Sequence, residues 1–159
     1  MFKKYGPLII LLLLSIAMSI ASPFFLAKDN LITIGIQTAV IGVLTIGELL
    51  VIITGGIDLA IGSTLALSMV ISATMMKAGI PIGLCVVAAL LLGAVFGYIN
   101  GFVVTTMKIP AFIATLGMSG ILRGAALMIT DGLPISSLPD KVAWFGNGRV
   151  FSIPVPVLV

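Results

Sequence analysis

Charge is what this chain of 159 residues has least of: five acidic and eight basic residues make up 8% of it, and histidine is absent. A soluble surface normally carries about 25% charged residues. With 60% hydrophobic residues and a mean hydropathy of +1.36, the chain is therefore expected in a membrane. The missing histidine excludes His-based triads, His-Glu-x-x-His zinc sites and imidazole acid-base chemistry. Cys85 stands alone, so no disulfide closes within the chain. No cation lies near it in sequence to stabilise a thiolate, and it reads as a small apolar filler inside a span. A Gly-x-x-x-x-Gly-Lys-[Ser/Thr] loop is also missing, which excludes ATP binding by a P-loop; no cofactor, metal or nucleic-acid partner is expected.

What is present is a series of long apolar runs. They are continuous and do not alternate with polar residues, so in a bilayer they are expected as helices and not as barrel strands. The fold class expected is an all-α, polytopic helical bundle. Spans are expected at about 5–27, 31–54, 59–76, 81–98 and 111–129, with a loop over 130–152 and the start of a sixth span at Ile153. Lys3 and Lys4 precede the first span and place the N-terminus in the cytoplasm, with the 130–152 loop outside. Lys28, Lys77, Lys141 and Arg149 then also fall outside, so this orientation rests on the first span and not on the charge count. Ser19-Ile20-Ala21 before Ser22-Pro23 resembles a signal-peptide cleavage site, but the apolar run is long for a signal core and more membrane protein follows it.

Between the second and third runs stands Gly55-Gly56-Ile57-Asp58-Leu59-Ala60-Ile61-Gly62-Ser63. Glycines with a carboxyl group between spans describe the interrupted helices found beside transport pathways. Asp58 has two readings that stay open: it caps exposed amides at the head of the third span, or it holds that helix start while Gly55 and Gly56 bend as a gate. Glu48, about two turns before the end of span two, shares a partly polar face with Thr38 and Thr45 and is expected to meet protein or water. Arg123 lies at another expected depth, roughly 10 Å away by helical rise, so a Glu48 to Arg123 salt bridge is not expected. Gly93, Gly97 and Gly101, with Ala89, recur every four residues, and Gly117, Gly120 and Gly124 repeat the device in span five. Such smooth stripes are expected to serve helix packing. Asn100-Gly101 is expected to open a loop after span four.

These motifs together resemble the permease subunits of bacterial ATP-binding-cassette importers for ribose and related simple sugars. The resemblance is carried by the Gly55 to Ser63 run, Asn100-Gly101, Ile109-Pro110-Ala111-Phe112-Ile113-Ala114-Thr115-Leu116-Gly117, Arg123-Gly124, Gly146-Asn147-Gly148 and Ile153-Pro154-Val155-Pro156, in that order over essentially the whole chain. It implies a multi-pass subunit of the bacterial inner membrane that pairs with a second permease copy. Sugar would arrive from a periplasmic or lipid-anchored binding protein, and ATP would be hydrolysed by separate cytoplasmic subunits. The permease itself would catalyse no covalent chemistry. Such permeases are longer, so the chain reads as an N-terminal half. Branched-chain amino acid permeases share the plan, but the acid-leucine-small-aliphatic-glycine-serine pattern fits the sugar group better. The alternative of another class is a truncated, non-transporting scaffold or remnant.

Overall fold

The computed structural model describes residues 2–150 and 153–155. Among these, α1 (Phe2–Ala21), α2 (Lys28–Ile53), α3 (Ile61–Lys77), α4 (Ile82–Thr105), α5 (Ala111–Thr130) and α6 (Asp140–Asn147) follow in order. They precede a two-residue antiparallel pairing of β1 (Arg149–Val150) with β2 (Ile153–Pro154).

Local chemistry sets most boundaries. The first helix stops at Ala21, short of the expected residue 27, because Ser22 leads into Pro23, whose ring and missing N–H oppose continuation. Residues 22–27 turn instead, with the Phe25 and Ala27 amides donating to the Ser22 and Phe24 carbonyls. At the end of α2 the Gly55 amide donates to Ile52 O at 2.9 Å and the Gly56 amide to Val51 O at 3.1 Å. This is the Schellman arrangement, and it requires the left-handed backbone that Gly55 adopts with φ +81°. Gly79, φ +83°, ends α3 by the same pattern. Pro81, Pro110 and Pro139 each stand immediately before a helix.

One expectation fails at α4, and the region beyond it carries more structure than a plain loop. Asn100-Gly101 does not open a loop, since α4 continues to Thr105: a single glycine costs a helix only about 1 kcal/mol relative to alanine, and Asn100 is buried. The stretch expected as loop over 130–152 contains α6. At the expected start of a sixth span, Ile153 and Pro154 pair with β1; its remainder, 156–159, lies outside the described residues.

The helices α2, α4 and α5 are each long and apolar enough to cross a membrane, while the apolar stretch Tyr5–Ala21 of α1 and the whole of α3 are shorter. At 17 residues, α3 rises only about 25 Å, starting two residues later than the sequence pattern expects because Leu59 and Ala60 belong to the break. Five complete crossings are thus more than the helix lengths alone establish.

The residues form two compact units, one reaching to Ile41 and including those from Arg149 onward, the other running from Gly42 to Gly148. In the first, the apolar side chains of α1 are largely exposed, as lipid-facing residues would be. In the second, α3 packs against both α4 and α5. Leu67, Leu122 and Ala126 form the centre, flanked by Val70, Ile71, Phe96, Met118 and Ala125. Polar side chains join them in the interior: Ser63, Ser68, Ser72, Asn100 and Thr115 are all buried.

Candidate functional site

The break between α2 and α3 is held by side chains from two helices. From α2, Glu48 Oε1 accepts the Asp58 amide at 3.2 Å. From α5, Thr115 Oγ1 accepts the Leu59 amide at 3.1 Å, and its single hydroxyl proton is shared between the carbonyls of Ala111 at 2.8 Å and Ile57 at 3.2 Å. One turn further along α5, Ser119 Oγ lies 2.9 Å from Ser63 Oγ in the first turn of α3. Residues that leave helical geometry lose their intrahelical partners, and in an apolar setting each orphaned amide or carbonyl must find another. Glu48 and Thr115 supply those partners.

Asp58 does not occupy the N-cap of α3. Ala60 does, without any side-chain bond, and Asp58 Oδ1 instead accepts the Ala60 amide at 2.7 Å. The carboxyl group therefore braces the turn two residues ahead of it and leaves the helix's own first amides alone. Gly55 is required by its positive φ, while at Gly56 a Cβ would stand a tight 3.2 Å from Val51 Cγ1, which would have to shift by a few tenths of an ångström to admit it. Gly62 meets no such constraint.

Glu48 thus meets protein through one oxygen, while Oε2 is buried with no hydrogen-bond partner among the described residues. No ion pair joins it to Arg123, which is exposed on α5 beside an apolar groove of about 490 Å³ bordered by Leu133 and Pro134. Among the described residues the glycine stripes do not mediate close approach: a Cβ added at Gly93, Gly97, Gly101, Gly117, Gly120 or Gly124 would meet nothing within 4 Å. Along α3 the bundle is joined instead by the Ser63 and Ser72 hydroxyls and by Leu67, Val70 and Ile71. Cys85 is fully buried, its Sγ 3.6 Å from Ile80 O.

A second polar element lies along α3 and α4, in a groove of about 520 Å³ lined by Asp58, Thr64, Ser68, Ser72 and Asn100 among apolar residues. Sequence reasoning singled out neither this hydroxyl row nor the roles of Thr115 and Ser119. The row was visible as Thr64, Ser68 and Ser72 at four-residue spacing within an apolar run. The pairing of Ser63 with Ser119, 56 residues apart, had no local signal.

Comparison with known proteins places these features in a family. Residues 30–147 match the family model described as "Branched-chain amino acid transport system / permease component". The ribose import permease protein RbsC of Haemophilus influenzae is 40% identical over 155 residues, covering 95% of this chain and 48% of that protein. RbsC of Bacillus subtilis is 39% identical over 158 residues, 98% of this chain and 49% of that protein. The D-allose transport system permease protein AlsC of Escherichia coli is 35% identical over 159 residues, 99% and 49% respectively. The chain spans about half the length of these curated relatives. No solved structure matches it. With the family model covering most of the sequence and relatives aligned nearly end to end, the chain belongs to the membrane permease family of branched-chain amino acid and sugar transport systems.

Proposed function

We propose that this chain is the N-terminal half of the permease subunit of an ATP-binding-cassette importer that carries a monosaccharide, ribose or a related simple sugar, across the bacterial inner membrane. The observation that carries the reading is the 40% identity to ribose import permeases over 95% of the chain, supported by the allose and galactofuranose permeases among its relatives. Those relatives favour a sugar over a branched-chain amino acid, although the family description names the latter.

In this reading the protein crosses the membrane five times and has a cytoplasmic N-terminus. It pairs with a second permease subunit and receives sugar from a binding protein outside. Separate ATPase subunits bind and hydrolyse ATP, and the permease itself binds no cofactor. Transport is conformational: the break at Gly55, Gly56 and Asp58 is the moving joint, with Gly62 and Ser63 in the helix that it carries. Gly101, Gly117, Gly120 and Gly124, where a side chain would meet nothing, are faces left for helices of the second half or the paired subunit.

The test is a chimera joining this chain to the C-terminal half of the Escherichia coli ribose import permease, expressed in cells that lack that permease but retain its ATPase and binding protein. Restored uptake of labelled ribose, competed by ribose or allose and not by leucine, supports the reading. A chimera that inserts and assembles yet carries no monosaccharide overturns it.

A further inference from the structure

The groove along α3 and α4 is unfinished as it stands. Thr64, Ser68 and Ser72 share one face of α3 over about 12 Å of rise, Asp58 lies just beyond the head of that helix, and Asn100 stands across on α4. Ser72 is satisfied, its hydroxyl donating to Cys85 O at 3.0 Å. Ser68, 6% exposed, has an Oγ with no partner among the described residues. Asn100, 7% exposed, lines the groove with no hydrogen bond to its amide among the described residues. A buried hydroxyl without a partner costs about 1–3 kcal/mol, so Ser68 is retained against its cost, and Asn100 offers an uncommitted amide to the same groove. The α4 wall is recessed at Gly93 and Gly97, where an added Cβ would meet nothing within 4 Å. The groove therefore has depth beside its polar residues.

We propose that the Asp58 end of this groove is a contact site for the hydroxyl groups of the passing monosaccharide, an inference that rests on the importer reading above. Asp58 uses Oδ1 to brace its own turn and presents Oδ2 as an acceptor for a sugar hydroxyl. Asn100 both donates and accepts, matching an adjacent hydroxyl. The C–H face of the sugar lies against Ile61 and Leu65, which line the same groove. The lining includes a carboxyl group and no Lys or Arg, which suits a neutral polyol and offers no counter-charge to the carboxylate of an amino acid. A few polar contacts in an otherwise apolar groove also suit a carrier, since tight binding in transit would slow release.

The experiment uses the chimera above in membrane vesicles with its ATPase and binding protein. Gly97→Cys places a thiol in the groove, and the parent chain, with Cys85 fully buried, gives the background. A charged, water-soluble thiol reagent should label the variant well above the parent, and ribose delivered by the binding protein should slow that labelling several-fold. Asn100→Ala should raise the KM for ribose about tenfold at unchanged membrane abundance, with Asn100→Gln recovering part of the loss. Gly97→Cys that resists labelling shows the groove sealed by lipid or another helix and overturns the proposal. Labelling indifferent to ribose, together with a parental KM in Asn100→Ala, overturns it as well. In either case a parent chimera that transports leaves the importer reading standing, whereas a parent that carries no sugar brings down both.

Discussion

Replacing Thr115 by valine keeps the shape of the side chain and removes the hydroxyl that holds the break to α5. Two of its hydrogen bonds reach the break, the Leu59 amide at 3.1 Å and the Ile57 carbonyl at 3.2 Å. The third stays within the helix. At about 0.5–1.5 kcal/mol each, losing the pair costs about 1–3 kcal/mol. The upper part of that range applies, because Thr115 is only 3% exposed and water has little access to replace the hydroxyl. Amide hydrogen exchange in detergent micelles reads the effect directly: the Leu59 amide should exchange roughly 30- to 150-fold faster in Thr115→Val, at about 1.36 kcal/mol per tenfold. Thr115→Ser keeps the hydroxyl and loses one methyl, worth about 0.8 kcal/mol, and should keep most of the protection at Leu59. Parental exchange in Thr115→Val, or equal acceleration in both variants, would refute the assignment of Thr115 as the anchor.

Three further outcomes are expected. Gly55→Ala should destabilise the α2 terminus by about 1–2 kcal/mol, the cost of a left-handed backbone for an L-residue, whereas Gly62→Ala, with open space at its Cβ, should be neutral or better in thermal unfolding followed by circular dichroism. Ser63→Ala and Ser119→Ala should show a coupling energy of about 0.6 kcal/mol in a double-mutant cycle, the usual size for a hydrogen bond between membrane helices, and no coupling would remove that bond. Leu122→Ala, at the centre of the α3 and α5 contact, should cost about 2–5 kcal/mol in denaturant unfolding, and a smaller loss would mean the helices close over the cavity.

The helices were legible because their signal is local: unbroken apolar runs of sufficient length, ended by Pro23, Gly55 and Gly79. The glycine-acid break was legible for the same reason. Asn100 misled, because an Asn-Gly pair is a strong turn signal in water, whereas this helix continues and buries the amide. The anchors of the break were less accessible. Thr115 lies 58 residues from Ile57, and its value as a partner depends on α5 lying alongside the head of α3, which no spacing in the chain encodes. The glycine stripes announced smooth faces without saying what covers them, and among the described residues nothing approaches them closely.

The hold on the break has a kinetic character of its own. Glu48 of α2 and Thr115 of α5 between them hold three successive residues, Ile57, Asp58 and Leu59, so the segment is fastened to two helices at once. Releasing all three bonds, at about 1 kcal/mol each, would cost about 3 kcal/mol. In the proposed role of a moving joint, such a segment would act as a latch with a threshold, tripped when a neighbouring helix shifts far enough to withdraw its grip.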